Sequence, residues 1–348
     1  MIYESLPRCY PEAVTRTAAA QATIQDVAAL AGVSRAAVSK VIRDAYGVSP
    51  AMRERVNAAI EQLGYRPRVG ARALRGATHT IGFELPALTN PFFAKILTGA
   101  TEVVEDTAYQ LIVAPTPPGK SERRPIDALL DRQVDGLVAI SPEVEQEWLE
   151  RLAPATPIVM IGRHDDSPLY DTVTGDDEGG AELLLRHLID LGHRRIGHIT
   201  IATARPGDTS PHGRRLGVYE RIAAELGTTP LVARSGQGAD DAYDAARRLL
   251  AADQPPTAIF AGNDTLALEA QRALADAGAR DVSVAGYDDV DIAGHPGIDL
   301  TTIDQDGVGM GRTAVRLLLE RIAGRDQPVH AVSPAALRVR GSTRAPAV

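Results

Sequence analysis

The 348-residue chain has one cysteine, Cys9, only three lysines, and aromatic side chains at just 4% of its positions. A single cysteine excludes an intrachain disulfide framework of the kind that supports small secreted domains. No stretch approaches the roughly 18 consecutive apolar residues of a membrane helix. The start, MIYESLPRCYPEAV, lacks the apolar core of a secretory signal. We therefore expect a cytoplasmic protein of two or three domains that makes no membrane contact.

The usual marks of enzymes and metal sites are also missing. The sequence contains no G-x-S-x-G, Walker A or dinucleotide-binding motif, and its eight histidines are scattered without metalloprotease spacing. Carboxylates that are adjacent in sequence, such as Asp165–Asp166 and Asp240–Asp241, point in different directions on a helix or strand. We therefore predict a chain that is not an enzyme and that needs neither a metal nor a cofactor.

Positive charge is concentrated near one end. Residues 22–77 carry nine basic and four acidic side chains, a net charge of +5. Because residues 1–21 are neutral and the whole chain carries -8, residues 78–348 hold -13. A basic head on an acidic body is typical of a nucleic-acid-binding module joined to a different domain.

The basic head has the pattern of a helix-turn-helix. In TIQDVAALAGVSRAAVSKVI, residues 23–42, apolar residues recur at helical spacing on both sides of Gly32. Glycine there ends the first helix in a left-handed conformation, and Ser34 suits the N-cap of the second. A third helix begins after Ser49 and ends at Gly64. The alternative is a helical hairpin inside a larger domain, which the local positive charge disfavours.

In a helix-turn-helix, the second helix enters the DNA major groove by its N-terminal end. Basic side chains there bind guanine edges, and neighbouring hydroxyls donate to phosphates. The residues predicted to face DNA from the second helix are Arg35, Ala36, Ser39, Lys40 and Arg43. The hydroxyls predicted to donate to phosphates belong to Thr23, Ser34, Ser39 and Ser49.

After residue 77, apolar runs alternate with helical segments. This alternation predicts parallel sheets with helices on both faces, in which ligands bind at the carboxyl ends of the strands. The predicted strands are Thr80–Leu85, Gln110–Ala114, Gly136–Ile140, Pro157–Gly162, Arg195–Thr200, Leu231–Arg234, Ala258–Ala261 and Val282–Gly286.

The order of several motifs resembles the lac repressor family of bacterial transcription regulators. The motifs are DVAALAGVS, VSKVI, TIGFELPALTNPFF, VDGLVAIS, AIFAGNDTLALEAQRALADAG, VSVAGYDD, LTTIDQ and LRVRGST, and the resemblance covers roughly residues 22–345. It implies an all-α head (22–66), a hinge segment (67–77) and an α/β core (78–348) with two lobes like those of periplasmic sugar-binding proteins. Residues 1–21 match nothing in the family and are expected to form a disordered tail.

The resemblance also assigns the lobes of the core. The first lobe is expected to contain residues of about 78–162 and 304–332, and the second residues of about 163–303 and 333–348. The implied partners are a near-palindromic double-stranded DNA operator, a second copy of the chain and a small polar effector. No leucine heptad follows LRVRGST, so a dimer is expected rather than a tetramer.

Individual site residues follow from the resemblance. In the hinge, Ala71 and Leu74 match the family's minor-groove residues, and Arg68 adds charge beside them; a plain linker is the alternative for this segment. The residues implied in effector binding are Arg214, which begins an Arg-x-x-Gly pattern, together with Asp288, Asn263, Arg163, Ser210, Asn90 and Phe92. An Arg and an Asp facing a cleft suit a sugar, polyol or nucleoside.

Several points stay open at this stage. Gln237 falls where many relatives carry a stacking aromatic residue, which argues against ring stacking. Asp264 suits a helix cap as well as it suits a ligand contact, and the pair Asp176–Asp177 is interpreted as the start of a helix, so neither is included among the effector residues. Two other functions remain as alternatives: a solute receptor whose head no longer binds DNA, and a hydrolase built on the binding fold.

Overall fold

A computed structural model describes residues 22–42, 45–66, 77–86, 88–116, 123–236 and 239–347. The chain divides into two units, residues 1–76 and 77–348, and each is described by itself. Five predicted residues lie outside the described ranges, namely Arg43, Arg68, Ala71, Leu74 and Gln237, and so do the predicted tail 1–21 and residues 67–76 of the predicted hinge segment.

The first unit contains three helices, α1 (Ile24–Ala31), α2 (Arg35–Ile42) and α3 (Pro50–Leu63). Each begins at a hydroxyl side chain that accepts a backbone N–H, and α1 and α3 end at glycines with φ of 64° and 58°. Their shared core consists of Val27, Ala28, Ala31, Val38, Val41, Val56 and Ala59. The predicted helix-turn-helix is therefore confirmed, with small side chains where α1 and α2 meet.

The second unit has two lobes, each built on a parallel sheet. The strands of the first lobe, in spatial order, are β11 (His330–Ser333), β5 (Asp171–Gly175), β4 (Ile158–Ile161), β3 (Gly136–Ile140), β1 (Thr80–Leu85) and β2 (Gln110–Pro115). Its helices are α4 (Phe92–Glu105), α5 (Arg123–Leu130), α6 (Gln146–Leu152) and α11 (Gly307–Ile322).

The strands of the second lobe, in spatial order, are β7 (Leu231–Ser235), β6 (Ile196–Ile201), β8 (Ala258–Ala261) and β9 (Ser283–Ala285). Its helices are α7 (Asp177–Asp190), α8 (Pro211–Glu225), α9 (Ala239–Leu250) and α10 (Asp264–Asp276), with a short 3-10 turn at Asp291–Gly294. A two-stranded antiparallel sheet of β10 (Thr302–Asp304) and β12 (Ala336–Arg338) completes the core.

The expected lobe boundary at Gly162 is wrong. Strand β5 pairs in parallel with β4 and β11, so the chain leaves the first lobe only after Gly175. The segment DTVTG contains a single large apolar residue, Val173, yet all five of its residues are buried. It stays in the sheet because the Asp171 carboxylate is neutralised by two arginines, Arg321 at 2.9 Å and Arg325 at 2.5 Å.

Two helices of the first lobe approach each other unusually closely. A Cβ at Gly99 of α4 would lie 1.9 Å from the carbonyl oxygen of Val308, and a Cβ at Gly311 of α11 would lie 1.9 Å from that of Ile96. Any larger side chain at either glycine would force the helices apart. Because α11 enters the lobe from a different part of the chain, this contact fastens two distant segments into one body.

The start of the core is held by a single carboxylate. Asp135 accepts hydrogen bonds from the backbone N–H groups of Thr78 and His79, at 2.8 and 2.7 Å, and from the Thr78 hydroxyl at 2.9 Å. The ring of His79, which has a φ of 54°, meets Tyr109 edge to face at 5.4 Å. The two residues before β1 are therefore fixed to the sheet. Among the helices in the described ranges, none is long and apolar enough to cross a membrane.

Candidate functional sites

The first site is the N-terminal end of α2. Ser34, Arg35 and Ala36 are exposed there, and Lys40 is exposed in the last turn of the same helix, as predicted from the sequence. Ser39 is only 8% exposed, so its predicted role in facing DNA is not supported. On a helix, Ser39 is one step of about 100° from the core residue Val38, close enough to be covered with it.

The hydroxyls predicted to contact phosphate already cap helices. Ser34 accepts from the Ala37 N–H at 3.1 Å, and Ser49 accepts from the Met52 N–H at 3.3 Å. A serine hydroxyl that accepts in this way can still donate its hydrogen to a phosphate. Thr23 differs, because its hydroxyl donates to the Asp26 carboxylate at 2.7 Å within a capping box. Ser34 and Ser49 are therefore better phosphate donors than Thr23.

The second site is a buried charged cluster at the carboxyl ends of the second-lobe strands. Arg215 of α8 is 3% exposed and lies 3.5 Å above the Tyr287 ring. Its Nε donates to Asp177 at 2.8 Å, and its Nη1 donates to the Gly262 carbonyl at 2.6 Å. The guanidinium is thus fixed in place by three neighbouring elements, two of which follow strands.

Arg215, and not the predicted Arg214, occupies this cluster. Arg214 is 30% exposed and binds Glu178 at 3.0 Å on the outer side of α7 and α8. Leu216, Tyr219 and Ile222 belong to the buried side of α8. Arg215 is four residues before Tyr219 and so shares that side. The Arg-x-x-Gly spacing therefore points to an arginine that lies outside this buried cluster.

Asp288 lies where the sequence placed it, directly after β9. Its carboxylate accepts from Gln305 Nε2 at 2.7 Å and from Asn90 Nδ2 at 3.4 Å. Burial raises the pKa of Asp288 to about 6, against the opposing effect of Arg215. Asn90 belongs to the first lobe, so the Asn90–Asp288 contact spans the two lobes.

Two acids that the sequence places at the start of a helix do not cap it. Asp177 is buried between Arg215 and His164, whose Nε2 is 2.7 Å away; burial alone would raise the Asp177 pKa, but these partners lower it below its usual value. Asp264 accepts from the Thr302 hydroxyl at 2.6 Å and the Val290 N–H at 2.9 Å. Burial and the nearby Asp288 raise the Asp264 pKa to about 8.

The caps of those helices are their neighbours in sequence. Asp176 accepts from the Gly179 N–H at 3.0 Å, and Asn263 accepts from the Leu266 N–H at 2.9 Å. Asn263 therefore caps α10, although it was predicted to bind effector. An N-cap residue and the residue after it point in different directions, and here the second of each pair, Asp177 or Asp264, turns inward.

Three further predicted effector residues have structural partners instead. Arg163 donates to the carbonyls of Pro142 and Val144, at 3.2 and 2.7 Å, and pairs with Asp165 at 2.9 Å. Ser210 caps α8 through the Gly213 N–H at 3.0 Å. Phe92 is 6% exposed and packs in the core of the first lobe. Loop position alone did not distinguish these residues from cleft-lining ones.

Two histidines near Arg215, the buried His198 and the partly buried His212, also have shifted pKa values. Burial lowers the pKa of His198 to about 4 and that of His212 to about 3, and Arg215 contributes to both shifts. Both rings are therefore neutral at pH 7. The residues described contain no group of three or more side chains arranged to hold a metal ion.

Comparison with known proteins agrees with this architecture. Residues 23–68 match the family described as bacterial regulatory proteins, lacI family, and residues 185–343 match the periplasmic binding protein-like domain. The chain is 34% identical over 315 residues to the HTH-type transcriptional repressor PurR of Photobacterium profundum, covering 88% of this chain and 93% of that one. It is 35% identical over 313 residues to the ribose operon repressor of Escherichia coli K12, covering 86% and 93%.

Solved structures give the same result. The transcriptional regulator CelR–cellobiose complex has a TM-score of 0.68 at 32% identity, covering 92% of this chain and 100% of that one. The lac repressor dimer bound to operator and the anti-inducer ONPF has a TM-score of 0.75 at 27% identity, covering 93% and 99%.

A helix-turn-helix head joined to a two-lobed α/β core defines a DNA-binding transcription regulator with a small-molecule effector. The chain belongs to the LacI family of bacterial regulators. That family consists of transcription repressors and not of enzymes, which confirms the prediction that the chain is not an enzyme.

Proposed function

We propose that the protein is a cytoplasmic repressor that binds a near-palindromic operator on chromosomal DNA as a homodimer and responds to a sugar or a closely related polyol or nucleoside. One observation carries the effector part of this proposal: a buried, fully partnered Arg215 stands beside Asp177 and Asp288 at the carboxyl ends of parallel strands. Ligands of open α/β sheets bind at that edge.

The chemistry of the cluster favours a polyhydroxylated ligand. Arg215 supplies donors, Asp288 supplies acceptors, and each hydroxyl of a sugar both donates and accepts. A sugar could therefore replace contacts that these side chains now make with other protein groups, such as Asp177, Gln305 and Asn90. The ribose operon repressor and the cellobiose complex among the similar proteins support the same class of ligand.

The two-lobed core offers a means of response. An effector that binds one arrangement of the lobes better than another shifts their balance, with a coupling free energy of about 1–3 kcal/mol in typical cases. By linkage, operator DNA changes effector affinity by the same factor. The hinge segment 67–77 would transmit the change to two heads on two half-sites.

DNA binding is tested by selecting duplexes from a random pool with the full chain and measuring their affinity by fluorescence anisotropy at two salt concentrations. We expect one near-palindromic sequence whose affinity falls steeply as salt rises. Binding that is weak, equal for all sequences or insensitive to salt would contradict the proposal and favour a solute receptor.

The effector is tested by thermal shift with D-ribose, cellobiose, myo-inositol and adenosine. We expect one chemical class to stabilise the chain, by about 2.7 kcal/mol at a concentration one hundred times its dissociation constant. The matched variants are Asp288→Asn, which should lose the shift, and Arg214→Met, which should keep it. A shift lost in Arg214→Met but kept in Asp288→Asn would place the ligand outside the cluster.

A further inference from the structure

The turn that carries Asp288 has an unusual backbone. Asp288 and Asp289 both have positive φ, 114° and 47°, although neither is glycine. Such conformations cost of order 1–3 kcal/mol each and persist only where neighbouring contacts hold them. What holds this pair therefore decides where the Asp288 carboxylate points.

Three consecutive backbone N–H groups anchor the turn within its own surroundings. Asp288 donates to the Ile303 carbonyl at 2.8 Å, Asp289 to the Thr302 hydroxyl at 3.4 Å, and Val290 to Asp264 at 2.9 Å. The weakest of the three is the middle one, at Asp289. The Asp289 carboxylate is bound by Arg340 at 2.6 Å.

The first lobe reaches the same turn from across the cleft. Lys95 of α4, one of only three lysines in the chain, donates from its Nζ to the Asp289 carbonyl. Asn90, just before the same helix, reaches the Asp288 carboxylate, and its own Oδ1 accepts from the Phe92 N–H at 3.0 Å. Two side chains at one end of α4 therefore grip two successive residues of the strained turn.

The carbonyl contact of Lys95 matters more than its ion pair. Lys95 Nζ lies 3.3 Å from Asp291, but the Asp291 side chain is 97% exposed, whereas that of Lys95 is only 25% exposed. Ion pairs with a fully hydrated partner contribute little. A charged donor on a partly buried carbonyl is a stronger interaction.

We propose that Lys95 is a positioning residue of the cleft: from the first lobe, its ammonium group holds the Asp289 carbonyl and so fixes the left-handed turn that presents the Asp288 carboxylate. The functional meaning of this assignment rests on the proposed role of Asp288 in effector binding. The lobes then approach each other at the same time as the Asp288 carboxylate is oriented, because both depend on the hydrogen bond from Lys95 to the Asp289 carbonyl.

The test is hydrogen exchange with mass spectrometry on the full chain, without DNA or effector. The variants are Lys95→Met, which keeps the length of the side chain but not its charge, Lys95→Arg, which keeps a cationic donor, and Asp291→Asn. We expect the amides of residues 288–290 to exchange about tenfold faster in Lys95→Met, since a hydrogen bond from a charged donor is lost. Lys95→Arg and Asp291→Asn should stay near the parent rate.

Three results would overturn the proposal. Unchanged exchange at residues 288–290 in Lys95→Met would show that Lys95 does not hold the turn. Equal acceleration in α10 would show a general loss of stability rather than positioning. Acceleration in Asp291→Asn or Lys95→Arg as large as in Lys95→Met would assign the effect to the ion pair or to side-chain shape. This measurement needs neither operator nor effector. A negative result would therefore overturn the role of Lys95 without contradicting the proposed function, and a failure to find an operator or effector would not change the exchange result.

Discussion

The two sites of this protein treat charge in opposite ways. In the head, Arg35 and Lys40 project into solvent from a helix whose stability comes from caps and small apolar side chains. In the core, Arg215, Asp177 and Asp288 are buried and stabilised by one another and by polar neighbours. The head exposes Arg35 and Lys40 to solvent, where a highly charged partner can reach them, whereas the charged groups of the cleft are already paired within the protein.

This difference has a physical consequence. An exposed cation can be removed at little cost to folding, so its loss appears in binding alone. A buried ion pair is different, because removing one partner leaves an uncompensated charge in a poorly solvated site. Function and stability are therefore separable in the head and coupled in the cleft, and four substitutions measure how far this contrast extends.

The largest effect is expected for Arg215→Met. It leaves Asp177, whose side chain is 1% exposed, with the His164 ring as its remaining side-chain partner. We expect the free energy of unfolding to fall by about 3–5 kcal/mol, the usual result of breaking a buried pair. Urea denaturation measures this loss. The matched control, Arg214→Met, removes a half-exposed pair and should change stability by less than about 0.5 kcal/mol; an equal loss in both variants would contradict the assignment of Arg215.

Next in size is the effect of Arg35→Ala on DNA binding. Loss of a side chain that reads a guanine edge should weaken binding to the selected operator by about 1–3 kcal/mol. Because Arg35 is exposed, the melting temperature should not change. Fluorescence anisotropy measures the DNA affinity, and thermal denaturation of the same sample measures the stability. A fall in melting temperature would mean that head and cleft are less different than the structure indicates.

The pH dependence of stability gives a third test. Asp264 has a folded pKa of about 8, far above the value of an unfolded aspartate, so folding favours its protonated form. Its penalty therefore grows as pH rises through 8, and stability should fall by roughly 1–2 kcal/mol between pH 6.5 and 8.5. Below pH 6.5 His198 and His212 act with the opposite sign, because their lowered pKa values make stability fall as pH falls.

Urea denaturation across this pH range checks the prediction, with Asp264→Asn as the decisive variant. Its stability should no longer fall from pH 6.5 to 8.5, because the titrating group is gone and His198 and His212 change stability in the opposite direction. A slope equal to that of the parent chain would exclude Asp264 as the source.

The smallest effect is expected for Ser49→Ala in the head. Removing the N-cap of α3 should cost about 1 kcal/mol. Hydrogen exchange in Pro50–Leu63 reports this loss, and the exposed change Gln62→Ala in the last turn of the same helix should leave exchange at its N-terminal end unaltered. A change in stability near zero would indicate that the Ser49 hydroxyl contributes to DNA binding rather than to the stability of α3.

Much of the fold could be predicted from the sequence. Each of the eight strands proposed from apolar runs is present within one residue at either end, since such runs mark buried parallel strands directly. Strand β5 could not be found in this way, because Asp171, Thr172 and Thr174 are polar and are buried only through partners distant in sequence. Pairing of the Asp171 carboxylate with arginines about 150 residues away leaves no strand-like pattern in the local sequence.

The cleft shows the same limit at the level of single residues. Asp288 could be placed because it follows a strand and a recognisable Gly-Tyr pair. The helical periodicity of α8 places Arg215 on a buried side of the helix, but the Arg-x-x-Gly spacing directed attention to Arg214 instead. The inward turn of Asp177 and Asp264, by contrast, depends on Arg215, His164 and Thr302 arriving from elsewhere in the chain.

The carboxylate of Asp135 has a mechanical consequence. It accepts three hydrogen bonds from the two residues that precede β1, at the start of the second unit. A force applied to the chain at that point is therefore resisted by the six-stranded sheet within two residues. Thr78 is thus a fixed point of the first lobe, on which any tension from the preceding chain acts directly.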